Sequence, residues 1–116
     1  MALKGAVRRL TTSVHEIDRA NITDFCDGCG LTPITEIVPR MHVRVGGEVH
    51  SVRVVPRAGA PALEVTITDG RASATAVFLG RRKIAGVVPG RRVAIEGVPG
   101  IVGGRYLVFN PLYTLY

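Results

Sequence analysis

From Met41 to the C-terminus, apolar residues recur at every second position in short runs, and each run closes on a turn signal. The run MHVRVGGEVHSVRVV predicts a first strand over 41–55, with Val43, Val45 and Val49 opposed to His42, Arg44, Glu48 and His50. Gly46-Gly47 lies mid-strand, and the alternation slips by one between Val49 and Val52. Glycine combined with a phase slip predicts a bulge or sharp coil. A small barrel needs such a bend so that one long strand can pair at both ends. After a loop over Pro56–Pro61, the residues Leu63, Val65 and Ile67 alternate with Glu64, Thr66 and Thr68 and predict a second strand. Asp69-Gly70 is a hairpin signal. Ser73, Thr75, Val77 and Leu79, alternating with Ala72, Ala74, Ala76 and Phe78, predict the third strand. Residues 80–92 read as a connector with one short helical turn, Arg92–Glu96 as strand four and Gly97–Gly104 as a glycine-rich loop. Arg105–Phe109 is strand five, closed by Asn110-Pro111 and a short tail. The pattern is mainly β: a five-stranded antiparallel barrel over 41–109.

The first third follows a different period. Leu3, Val7, Leu10, Val14 and Ile17 recur at spacings of four and three, which places them on one helical face. Ser13 and Glu16 have the spacing of a capping box, which would divide the segment near Thr11–Ser13. An amphipathic helical segment is expected from residue 2 to about 26, either packed on the barrel or paired with a partner helix in a homodimer. Gly28, Gly30, Pro33 and Pro39 then punctuate a connector. The division is a helical segment and connector over 1–39 and a barrel over 40–116.

Composition sharpens this picture in two respects. Aromatics make up only 5% of the 116 residues and tryptophan is absent, so the core must be built from Val, Ile, Leu and Ala. The net charge of +6 is unevenly spread: residues 57–116 carry eight basic and three acidic side chains, residues 1–56 seven and six. Thirteen of the fifteen basic residues are Arg, whose planar fork pairs with phosphate in a bidentate way. Coding bias would explain Arg over Lys, but not the acid deficit of the second half. A small basic β-barrel is a common platform for nucleic acid.

Other chemistries find little support. No signal-peptide pattern or membrane-length apolar run is present, so a soluble, cytoplasmic protein is expected. Cys26-Asp27-Gly28-Cys29 supplies two potential zinc ligands where a closed site needs four, and His15, His42 and His50 do not form a second pair. No metal or cofactor is expected. The carboxylates form no pair that spacing supports, Thr12, Ser13 and His15 do not face one another on a helix, and no P-loop is present. A non-catalytic protein is expected.

The order of a long coiled strand, a hairpin, a connector ending in Pro89-Gly90 before VAIEG, and two further strands resembles the OB fold of single-strand binding proteins, anticodon-binding domains and the wedge domain of RecG-type DNA helicases. The closing GRYLVFNPLY is similar to the end of that wedge domain. The whole chain also resembles a small actinobacterial family of stand-alone OB-fold proteins described as nucleic-acid-binding-like. The resemblance implies binding on the face of strands two and three, flanked by Arg57 in the first loop and by Arg105 and Tyr106 beside the last. Arg81, Arg82, Lys83, Arg91 and Arg92 in the connector are the densest run of positive charge and would meet at one end of the barrel if the loop folds back. Aromatic platforms are scarce, so phosphate contact is the expected source of affinity. The reading is a sequence-tolerant binding module for DNA (single-stranded or branched) or RNA. The alternative is a protein-interaction module docking through the N-terminal helix or a barrel edge.

Overall fold

The computed structural model describes residues 18–116. The apolar stripe from Leu3 to Ile17, the Ser13–Glu16 capping box and His15 lie outside the described residues. The chain is helical over residues 18–28 (α1) and makes a short 3-10 turn at Ile34–Glu36. Seven strands follow: β1 Val43–Arg57, β2 Ala60–Thr68, β3 Ser73–Leu79, β4 Arg92–Gly97, β5 Pro99–Val102, β6 Arg105–Phe109 and β7 Leu112–Leu115. They form one curled sheet in the order β5-β6-β3-β2-β1-β4-β7. Val98 alone separates β4 from β5, so the chain passes directly from the penultimate strand at one end of this order to the edge strand at the other. No described helix is long and apolar enough to cross a membrane.

The long first strand behaves as its pattern demands. Val43–Glu48 pairs with β4, and Glu48–Arg57 pairs with β2. The register shifts between Val49 and Ser51, where the alternation slips. A Cβ on Gly47 would overlap the Thr68 carbonyl oxygen, and one on Gly46 would come within 2.5 Å of the Val93 carbonyl oxygen. The two glycines are therefore what lets three strands converge at the bend.

Four expectations need correction. The described residues form one curled sheet of seven strands rather than a five-stranded barrel. The segment expected as a loop over Gly97–Gly104 contains β5, which pairs with β6 through a Gly103-Gly104 turn. Four residues with Pro at the first position and Gly at the second are too few to show alternation, yet Pro is tolerated where a strand begins. The tail after Asn110 is β7, paired antiparallel with β4. Asn110 makes this possible. It takes a left-handed conformation (φ 46°), its side-chain oxygen accepts the Leu79 N–H at 2.9 Å, and its own N–H donates to the Val77 carbonyl at 2.7 Å. The third correction is that β3 and β6 pair in parallel, so the sheet is not purely antiparallel. Finally, the loop expected over Pro56–Pro61 shrinks to Ala58-Gly59, both left-handed (φ 51° and 78°), as a two-residue hairpin turn requires.

The inward row of the sheet, including Val45, Val49, Leu63, Val65, Ile67, Ala76, Phe78, Val93, Ile95 and Val108, forms one buried cluster with Ile34, Ile37, Ile84 and Val87. Ile84 and Val87 belong to the connector 80–91, which contributes to the core through single turns rather than a helix. Asp69 does more than mark the β2–β3 hairpin. Its carboxylate accepts the N–H of Arg71 (2.9 Å) and Ala72 (3.0 Å) within the turn and that of Ile34 (2.7 Å) from the connector below.

Helix α1 lies on the outside of the sheet. Ile22, Cys26 and Leu31 pack on Ala94 of β4, with Phe25 and Cys29 beside them. The CDGCG segment is the helix end. Gly30 is left-handed (φ 68°), the Leu31 N–H donates to the Cys26 carbonyl at 3.0 Å and the Gly30 N–H to the Asp27 carbonyl at 3.2 Å. This pair of hydrogen bonds, with Leu31 folded back on Cys26, is a Schellman cap. The Cys26 thiol donates to the Gly46 carbonyl at 3.4 Å. Burial, aided by the nearby Asp69 and Asp27 carboxylates, pushes it up to about 11.

Candidate nucleic-acid interface

Alternation assigns Glu64, Thr66, Thr75, Val77, Leu107 and Phe109 to the outer face, opposite the core row. In register across that face run Arg53 of β1, Glu64 of β2, Val77 of β3 and Phe109 of β6. Glu64 is only 4% exposed, yet it is ionisable and sits mid-sheet. Three arginines converge on it. Arg57 approaches Oε2 at 3.2 Å, Arg53 approaches Oε1 at 3.5 Å and Arg105 approaches Oε1 at 3.9 Å. The Arg57 guanidinium also lies 5.4 Å from the centroid of the Phe109 ring, within cation–π range. Next to this group, the Thr66 and Thr75 hydroxyls share a hydrogen bond of 3.2 Å. The cluster has three positive charges against one negative, so the face keeps a net positive potential. On the same face, Ala62, Val77 and Leu107 form a small buried apolar cluster of their own.

One donor in this cluster has no partner. Arg57 Nε is buried and makes no hydrogen bond among the described residues. An unpaired buried donor costs on the order of 1–3 kcal/mol, which an acceptor brought by a ligand would recover. Burying a carboxylate is likewise unfavourable unless partners compensate it, and here arginines from two strands, β1 and β6, supply them.

Of the residues expected at a site, the structure brings Arg57 and Arg105 together. Tyr106, next to Arg105 in sequence, points to the opposite face and is half-buried against the main core. Arg81, Arg82 and Lys83 are exposed at the start of the connector, with Arg81 beside a cleft formed with Phe78, Asn110, Leu112 and Tyr113. Arg91 is exposed at the far end of the connector, and Arg92 is half-buried with its guanidinium 5.1 Å from the Phe25 ring. The two halves of the connector cluster do not meet. Gly80 bonds to Pro61, whereas Arg91 bonds to Val49, which sits opposite Ile67. Six residues of β2 separate these anchor points, a distance of about 20 Å. Arg92 ties α1 to β4 instead of joining a basic loop.

Arg53, Glu64 and Phe109 were not singled out as site residues by the sequence pattern. A signal was present: Arg53 and Arg57 are four apart and so share a strand face, provided that β1 reaches Arg57. The expected strand end at Val55 hid this. Among the described residues, no three His, Cys, Asp or Glu side chains converge as metal ligands would.

A curled β sheet with an arginine-lined outer face and a helix packed beside it defines the class. No protein-family model matches the chain, and no curated protein does. Among solved structures, the chain is similar in fold to part of RecG in its complex with a three-way DNA junction, with a TM-score of 0.63 and 17% sequence identity. The match covers 73% of this chain and 12% of that one. At this identity the likeness concerns the fold.

Proposed function

We propose that this chain is a non-catalytic nucleic-acid-binding module of OB type, which holds single-stranded or branched DNA, or RNA, through arginine–phosphate contacts on the outer face of β1, β2, β3 and β6. The observation that carries the reading is the convergence of Arg53, Arg57 and Arg105 around Glu64 beside an exposed Phe109. The RecG fold likeness supports it, since that protein is seen with a DNA junction. The same proposal keeps the sequence resemblance to the small actinobacterial family of stand-alone OB-fold proteins.

Phosphate contacts position a strand without reading its sequence. Weak discrimination among sequences is therefore part of the proposal, and Phe109 offers one stacking surface rather than a row of them. Arg81, Arg82, Lys83 and Arg91 extend the basic surface at two separate ends and would add affinity for a longer or branched ligand. The test is fluorescence anisotropy of labelled single-stranded, duplex and three-way-junction oligonucleotides at two salt concentrations. Affinity that falls steeply with salt supports the reading. Absence of binding to all three at low salt would transfer the weight to a protein partner docked on the N-terminal helix or on the edge strand β7, whose Leu112 is 70% exposed.

A further inference from the structure

We propose that Glu64 is a positioning residue that gathers Arg53, Arg57 and Arg105 into one phosphodiester-binding site. The inference rests on the nucleic-acid reading above. Glu64 is nearly fully buried, while the three guanidinium-bearing side chains are 65%, 31% and 51% exposed. The carboxylate sits underneath and the arginines reach over it towards solvent. They come from two different strands, and without a shared anion three like charges would spread apart. Each guanidinium carries five donors, and the contacts to Glu64 occupy one nitrogen of each. The remaining donors can turn to a second anion above the first. A phosphodiester has the geometry for this, because a guanidinium fork pairs with two of its oxygens at once. Arg57 Nε, buried and without a partner among the described residues, is a donor still to be satisfied.

This assignment runs against simple charge counting, which makes it testable by sign. Glu64→Gln raises the net charge of the protein by one unit. If Glu64 merely dilutes the positive potential, its loss tightens binding to any polyanion. If it positions the arginines, its loss weakens binding although the protein has become more positive.

The experiment is an anisotropy titration of a labelled single-stranded oligothymidylate against wild type and Glu64→Gln at matched salt, with circular dichroism to establish that the variant is folded. The expected result is about fivefold weaker binding, equivalent to the loss of roughly one hydrogen bond. Equal or tighter binding by folded Glu64→Gln overturns the inference, and wild-type binding in the same titration leaves the functional reading standing. Wild type that binds no oligonucleotide defeats the functional reading itself, and the inference with it. Arg57→Lys covers the case of a Glu64 variant that does not fold. Lysine keeps the charge but lacks the fork that engages Glu64 and a phosphate together. Binding weakened about fivefold, again roughly one lost hydrogen bond, agrees with the proposal. Wild-type affinity in Arg57→Lys contradicts it.

Discussion

Replacing Asp69 by Ala tests the tie between the β2–β3 hairpin and the core. The carboxylate accepts three backbone N–H groups, from Ile34, Arg71 and Ala72. The consequences differ by location. Arg71 is exposed and Ala72 half-exposed, so their amides can turn to water once the carboxylate is gone. Ile34 is fully buried (0% exposed), and its N–H would be stranded in the core. A hydrogen bond to a charged group contributes about 1.5–3 kcal/mol, and a stranded buried donor costs about 1–3 kcal/mol. Counting the Ile34 contact at about 3 kcal/mol and the two turn contacts together at about 1 gives a loss of about 4 kcal/mol. For a domain of this size that corresponds to a fall in Tm of about 15 °C. Asp69→Asn retains one acceptor oxygen and should lose about half as much. Thermal melts followed by far-ultraviolet circular dichroism, with urea titrations for the free energy, measure both. A Tm for Asp69→Ala within about 3 °C of wild type, under ~1 kcal/mol, would refute the claim that this carboxylate holds the connector to the hairpin.

Three further outcomes follow from the same structure. Gly47→Ala places a methyl group onto the Thr68 carbonyl oxygen, and backbone cannot yield as a flexible side chain does, so the variant should be recovered largely unfolded, as read by circular dichroism and solubility. Cys26 keeps its proton to about 11 in the folded chain, whereas an unfolded thiol loses it near about 8.5. Its contribution to stability is thus complete below about pH 8.5 and is lost as pH rises through about 11. The urea midpoint should fall between about pH 8 and about pH 10.5 by an amount that Cys26→Ala removes, and Cys29 should be alkylated before the buried Cys26 in the native protein. Replacing Arg81, Arg82, Arg91 and Arg92 by Ala should flatten the salt dependence of oligonucleotide binding less than the loss of the three outer-face arginines does, since the two connector pairs lie at opposite ends of β2.

The strands with a full period of alternation were legible, and so was the bend of β1, because Gly46-Gly47 and the phase slip are both local signals. The elements that escaped are those defined by partners distant in sequence. PGIV is a strand because it lies along β6, and LYTL because Asn110 turns the chain back onto β4. Neither reason is written in four residues. The same holds for the candidate site. Arg57 and Arg105 were visible as loop-flanking cations, but their meeting at Glu64 depends on the parallel pairing of β3 with β6. In the sequence, Glu64 is simply one of several polar residues alternating along a strand. Conversely, the basic connector was the most conspicuous charge run, yet Ile84 and Val87 draw its middle into the core and hold its two ends apart. Tyr106 shows the limit set by periodicity: adjacent residues on a strand face opposite ways, so Arg105 and Tyr106 cannot both serve one face.

The central claim is that Arg53, Arg57 and Arg105 bind nucleic-acid phosphates, and the most direct measurement is the salt dependence of single-strand binding by wild type and by the triple variant Arg53→Ala, Arg57→Ala, Arg105→Ala. Three neutralised phosphates predict a slope of log affinity on log salt of roughly −2 from this face alone. The account predicts that the folded triple variant loses that part of the slope and most of the affinity, to a similar extent for unrelated sequences. A triple variant that is folded and binds with the wild-type slope would contradict it.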